Sequence, residues 1–222
     1  MKLLIKFPTR GRPEKFLNTL KLYYQNCTDI DNIIFLITID QDDPSMNSPD
    51  IIDQLKTMKN LYFFIEKSTS KVDAVNRDLD KFDQEWDIVL LASDDMIPQT
   101  KGYDVIIKKL MKEHFSDTDG VLHFNDGYQK ETLNTLCVLG KKYYNRFNYI
   151  YYPGYKSCWS DNEFMEVSRL LNKTIYFDFI IIRHEHPDWG HGNHDIIHTK
   201  NQIDYEFDQN LFLTRKQNNF NI

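Results

Sequence analysis

The chain has 222 residues, 41% hydrophobic and 14% aromatic, so it can bury a sizeable core and reads as one domain without disorder outside its termini. With 33 acidic against 27 basic residues its formal charge is -6 at pH 7, which argues against a nucleic acid held mainly through its phosphates. Cys27, Cys137 and Cys158 are odd in number, widely spaced and without the paired spacing of a zinc site, so they read as thiols in a reducing, cytoplasmic compartment.

In chain order the pattern alternates strand and helix, the signature of a mainly parallel sheet covered by helices. Residues 2–7 form an apolar run too short for a signal peptide, followed at once by Arg10 and Arg12. A local basic cluster of Lys6, Arg10, Arg12 and Lys15 suits a small anion. Residues 13–26 carry Phe16, Leu17, Leu20 and Tyr24 at helical spacing. Strands are expected at 33–39, ending on Asp40, and at 61–65, with a helix at 50–58 between them. Residues 74–82 read as a helix leading to a central strand at 88–92, and 102–115 as a covering helix. Beyond it, strands at 121–124 and 133–139 flank the Asn-Asp-Gly of residues 125–127, which favours a hairpin or tight loop. An aromatic stretch at 143–155 precedes a helix at 162–171 and a last strand at 174–182. From Trp189 the chain reads as a polar, His-rich tail. No stretch is long enough to cross a membrane and no amphipathic anchor is evident, so stable membrane insertion is not expected.

The strongest signal is residues 87–98, Asp-Ile-Val-Leu-Leu-Ala-Ser-Asp-Asp-Met-Ile-Pro, an apolar run that delivers Asp94 and Asp95 to its end. Side chains at the carboxyl end of a buried strand in an open α/β sheet face the ligand crevice. Two adjacent carboxylates there repel, and a hard divalent cation shared with a phosphate relieves the repulsion. That points to Mg²⁺ or Mn²⁺ and a nucleoside diphosphate, although the pair alone is equally a polar turn. Arg183-His184-Glu185-His186 follows the last strand, and alternation sets His184 and His186 on one face, where either can reach a metal. Thr9, Arg10, Gly11 and Arg12 end the first strand; guanidinium pairs with phosphate, and Gly11 allows close backbone approach. Asp40 can accept from a base or ribose, and Lys71 or Asn76 can contact a nucleotide, although a solvated helix start accounts for them nearly as well. Asp161 and Glu163 stand at a helix head, as a general base towards a hydroxyl or as partners of the helix dipole. Tyr149, Tyr151, Tyr152, Tyr155 and Trp159 offer a stacking floor for a sugar, or simply core.

Together these residues resemble the GT-A-fold glycosyltransferases, in particular the family 2-like group of small metal-dependent enzymes. The resemblance rests on Phe-Pro-Thr-Arg-Gly-Arg-Pro at 7–13, the strand end at Asp40, Ser-Asp-Asp-Met with Pro98 and Gly-Tyr-Asp at 102–104 after it, and the closing His-Glu-His-Pro. It implies an α/β GT-A fold, a mainly parallel mixed sheet flanked by helices. It also implies one domain over 1–222, with a nucleotide-binding half at 1–100, an acceptor-binding half at 101–190 and a C-terminal tail at 191–222. By the same resemblance Thr9, Arg10, Arg12 and Asp40 hold the nucleoside, supported by Lys71 and Asn76. Asp95 binds Mn²⁺ or Mg²⁺, Asp94 binds ribose or metal, and His184 or His186 supplies the later ligand. Asp161 is the catalytic base, with Glu163 competing because Asp161-Asn162-Glu163 departs from the family's Glu-Asp pair. Ser93-Asp94-Asp95 likewise departs from Asp-X-Asp, which leaves open which carboxylate coordinates. The implied reaction moves a sugar from a nucleotide-sugar donor, UDP-linked before GDP-linked, to a glycan or other hydroxyl acceptor with inversion. A sugar nucleotidyltransferase is disfavoured because the loop after the first strand has a single Gly. A non-catalytic nucleotide-sugar or carbohydrate binder and a metal-dependent phosphohydrolase remain as alternatives.

Overall fold

A computed structural model describes residues 1–186 and 203–222. Its parallel half is built from β1 (Leu3–Thr9), β2 (Ile33–Asp40), β3 (Leu61–Glu66) and β4 (Ile88–Leu91). Every residue of β2 and β4 is buried, as runs of Ile, Leu, Val and Phe must be when helices cover both faces of a sheet. Four further strands are β5 (Met96–Pro98), β6 (Val121–Phe124), β7 (Val138–Gly140) and β8 (Thr174–Phe177), and β9 (Ile182–His184) is the last. The helices are α1 (Pro13–Asn26), α2 (Pro49–Lys56), α3 (Lys71–Asn76), α4 (Tyr103–His114), α5 (Lys141–Tyr144), α6 (Ser160–Leu170) and α7 (Tyr205–Gln217).

Seven strands form one mixed sheet in the order β3-β2-β1-β4-β7-β6-β8, and β5 pairs with β9 in a separate antiparallel ribbon. β1 pairs in parallel with both β2 and β4, so the strand order reverses beside it. In an open α/β sheet that reversal opens a crevice at the carboxyl ends of the two strands, and ligands bind there. Alternation along the strands sorts the core into two faces. Leu3, Ile5, Phe7, Phe35, Ile37 and Leu90 pack with Phe16, Leu20 and Tyr23 of α1 and Ile107 of α4. Leu4, Leu36, Val89 and Leu91 pack with Val72 and Val75 of α3, Phe164 of α6 and Phe212 of α7. Lys6, Thr38 and Asp40 fall on this second face.

Several expected elements are redrawn. The helix expected at 74–82 begins and ends earlier. Ser70 caps it by accepting the Asp73 N–H at 3.0 Å, and the chain turns into the left-handed region at Asp78, φ 76°. The strand expected at 174–182 divides, because the chain leaves the large sheet after Phe177 and Ile182–His184 pairs with Met96–Pro98 instead. Only the end of the strand expected at 133–139 forms. Asn-Asp-Gly does not close a tight hairpin: Asp126 accepts N–H groups of Tyr128 and Gln129 and the Thr135 hydroxyl, organising a wide loop. The tail from Trp189 lies outside the described residues as far as 202, and beyond them Tyr205–Gln217 is a packed helix. Its buried residues are Asp208, Phe212 and Arg215, so two of the three are charged and no apolar stripe announces it. No helix among the described residues is long and apolar enough to cross a membrane.

Candidate active site

The loop after β1 crosses the crevice. Arg10 donates to Asp40 at 2.7 Å and forks onto both oxygens of Asp42 at 2.6 and 3.0 Å. Gly11, at φ 71°, needs the left-handed conformation that glycine tolerates, and its N–H meets Asp43 at 2.6 Å. Arg12 and Lys15 converge on Asp94 Oδ1 at 3.1 and 3.4 Å. Thr9 is turned into the apolar core, 3.7 Å from Met46 Sδ.

Beneath Asp40 lies a buried charged chain that the sequence did not announce. Lys6 is 0% exposed, hydrogen-bonded to Thr38 and 3.7 Å from Asp78, itself 0% exposed. It is therefore no part of the surface cluster in which the sequence grouped it. Burial pushes its ammonium down to about 7, partly opposed by Asp78 and reinforced by the Arg77 charge. Arg77 forks onto Asp78 at 3.1 Å, donates to the carbonyls of Ile39 and Glu66, and lies 3.6 Å from Asp40 Oδ1. That oxygen is buried and has no hydrogen-bond partner among the described residues, so the nearby Arg77 charge is what offsets its burial. Arg77 is the site residue the sequence reading passed over. Its position after a short helix resembles any solvated Arg, and only the closing of β2 and β3 around it reveals its place.

Across the crevice, β4 ends and Ser93-Asp94-Asp95 turns into β5. Pairing of Met96 with His184 in the β5–β9 ribbon brings His184 Nε2 to 3.6 Å from Asp95 Oδ1, and the Glu185 N–H donates to the Asp95 carbonyl at 2.7 Å. Ser93 Oγ also donates to Asp95. Burial opposes ionisation of Asp95, but the hydrogen bond and charge of His184, with Ser93, hold its carboxyl well below the usual range. Asp94 moves the other way: burial and the Asp95 charge raise it, against Arg12 and Lys15. His186 adjoins His184, with ring centroids 5.7 Å apart. No cluster of three or more ligating side chains is preformed among the described residues. A carboxylate and an imidazole converging across two strands, with a second carboxylate adjacent, are nevertheless a mixed donor set that would suit a Mn²⁺- or Mg²⁺-sized ion.

Asp161 is the second residue of α6 and is half-buried. Burial raises its carboxyl, opposed by the Lys71 charge, by the Asn162 N–H at 3.0 Å and by His184. It therefore feels the charges of Lys71, at the head of α3, and more weakly of His184. Glu163 is occupied otherwise: its buried carboxylate takes Arg215 of α7 at 2.7 and 2.8 Å and the Tyr155 hydroxyl at 2.8 Å. It is an internal ion pair and no rival base. Asn76 is also committed to structure, its amide bonded to the backbone of Ile150 and Tyr151 at 2.6 to 3.1 Å. Of the aromatics, Tyr151 and Tyr155 are core, Tyr152 lies against Arg215, and Trp159 packs on Phe212. These four rings are taken up by packing within the protein.

No family model matches the sequence, and no curated protein resembles it closely enough to be matched. Solved structures do. The mannosyltransferase PcManGT from Pyrobaculum calidifontis, in complex with GDP-Man and Mn²⁺, superposes with a TM-score of 0.65 at 13% identity, over 82% of this chain and 56% of that one. Residues 1–349 of S. aureus TarS superpose with a TM-score of 0.65 at 16% identity, over 82% and 59%. The same protein in complex with UDP-GlcNAc gives 0.64 at 16% identity. The fold is GT-A. The chain spans a little over half the length of these GT-A structures. β1, β2 and Arg77 lie on one side of the crevice, and the β5–β9 ribbon lies on the other.

Proposed function

We propose that the chain is a metal-dependent glycosyltransferase that moves a sugar from a nucleoside-diphosphate sugar to an acceptor hydroxyl with inversion. UDP is the favoured nucleotide and GDP the next. The observation that carries the reading is the meeting of Asp95 and His184 beside an Asp94 clamped by Arg12 and Lys15, at the strand reversal of a GT-A sheet. The GT-A neighbours in complex with GDP-Man and Mn²⁺ or with UDP-GlcNAc support the same class.

In this reading Asp95 and His184 would hold the divalent ion, which would supply Lewis-acid stabilisation of the leaving diphosphate. Asp40 accepts a hydrogen bond from the base or ribose, with Arg10 and Arg77 fixing its carboxylate. Arg12 and Lys15 leave Asp94 to pair with phosphate charge. Asp161 takes the proton of the acceptor hydroxyl as its oxygen attacks the anomeric carbon; the bond from that carbon to the diphosphate breaks, and the configuration inverts.

The deciding experiment is calorimetric titration with UDP and GDP, with and without Mn²⁺, on the wild type and Asp95→Ala. Metal-dependent binding abolished in the variant is expected. Absence of binding to either nucleotide under all conditions would refute the transferase reading, and binding without turnover of any sugar donor would favour the non-catalytic binder.

A further inference from the structure

Asp161 is bracketed by two anchor points on one other helix. On its amino-terminal side, Asp208 of α7, 0% exposed, accepts three consecutive backbone N–H groups: Lys156 on Oδ1, and Ser157 and Cys158 on Oδ2, each at 2.8 Å. On its carboxyl-terminal side, Arg215 of α7 grips Glu163 with two hydrogen bonds. Between them the chain passes Trp159 in the left-handed region, φ 61°, before α6 begins. A bulky residue keeps that conformation only where its surroundings over-determine it. The Val72 N–H donates to the Lys156 carbonyl, so the same loop is tied to α3, which carries Lys71.

Three adjacent N–H groups shared between the two oxygens of one side chain are best satisfied by a carboxylate, which has several lone pairs and a negative charge. Asp208 is that carboxylate, yet it lies far from Asp40, Asp94 and Asp95 in sequence and belongs to none of the crevice walls. The geometry points to Asp208 as a positioning residue for Asp161: through residues 156–159 it sets the direction in which the base presents itself to the acceptor hydroxyl. The nature of that hydroxyl substrate rests on the transferase reading, whereas the grip of α7 on the loop does not.

Asp208→Asn preserves size while turning an amide NH₂ or a weaker acceptor towards the loop N–H groups. The expected result is a kcat lowered about 10- to 100-fold with donor KM and metal-dependent UDP or GDP affinity unchanged, the signature of a displaced catalytic group. Alkylation of Cys158 by iodoacetamide should quicken, while Cys27 and Cys137, both buried, stay slow. Wild-type kcat in Asp208→Asn, or a loss of nucleotide affinity as large as the loss of kcat, would overturn the assignment. Should the variant not fold, hydrogen exchange on the wild-type chain decides: Lys156, Ser157 and Cys158 amides protected like core amides support the grip, and exchange at the rate of solvated loop amides refutes it. A wild type that binds neither nucleotide removes the transferase reading, while the alkylation and exchange results still test the hold of α7 on the loop.

Discussion

Asp161 and Glu163 sit two residues apart on one helix, and their neighbours give them opposite fates. Glu163 faces Arg215 and Tyr155 and is locked; Asp161 makes no such ion pair among the described residues and its carboxyl is raised by burial, against the charge of Lys71. Asp161→Asn should lower kcat by about 10²–10⁴-fold and leave nucleotide affinity intact, measured by transfer assay and calorimetry. Because the folded carboxyl is raised, the acid limb of the kcat profile should lie above the usual carboxylate range. Lys6 makes a second test. Its folded ammonium is lowered to about 7 from an ordinary 10.5, so between those values the unfolded chain binds one proton more and stability rises with pH. Urea unfolding at pH 7 and pH 9 should show the wild type gaining on Lys6→Met, at up to about 1.4 kcal/mol per pH unit. Equal pH dependence of the two proteins would show that Lys6 titrates normally. Of these residues, Asp94 and Asp95 were legible because an apolar run ended on them. Lys6, Arg77 and Glu163 were not, because a charged residue in sequence does not reveal which charge it will face.

The long strands and α1 were readable from continuous apolar runs and helical spacing, since each buries its own pattern. Short elements follow contacts instead. β5 and β9 exist because they pair with each other, and that pairing joins Asp95 to His184. α5 follows Gly140, where an added Cβ would lie 2.1 Å from the Thr118 carbonyl oxygen, a backbone atom that cannot swing aside. Gly140→Ala should therefore cost about 1–3 kcal/mol in a denaturant titration, as overpacking does. A cost near zero would mean that the loop through Thr118 yields. α7 escaped the sequence reading for a different reason: its inward side is held largely by charge, through Asp208 and Arg215, and charge has no hydrophobic period.

The sheet, its two core faces and the crevice fold as one unit, so a ligand held in the crevice should stabilise the whole of it. A nucleotide and Mn²⁺ that bind only the folded chain should stabilise it by about 2.7 kcal/mol at a hundredfold excess over Kd. Thermal unfolding should accordingly shift upward by roughly 5–10 °C, a shift that Asp95→Ala abolishes. An equal shift in both proteins would mean that the nucleotide binds elsewhere. The amino-acid order by itself determined the alternation of strand and helix, the parallel α/β class and the delivery of Asp40, Asp94 and Asp95 to strand ends, because those follow from local periodicity and from where apolar runs stop. Only the tertiary structure decided that His184 meets Asp95, that Arg77 backs Asp40, that Glu163 belongs to Arg215 and that a charged helix fastens the loop before Asp161. Each of these is a pairing between groups remote in sequence, and its partner is chosen by how the elements pack.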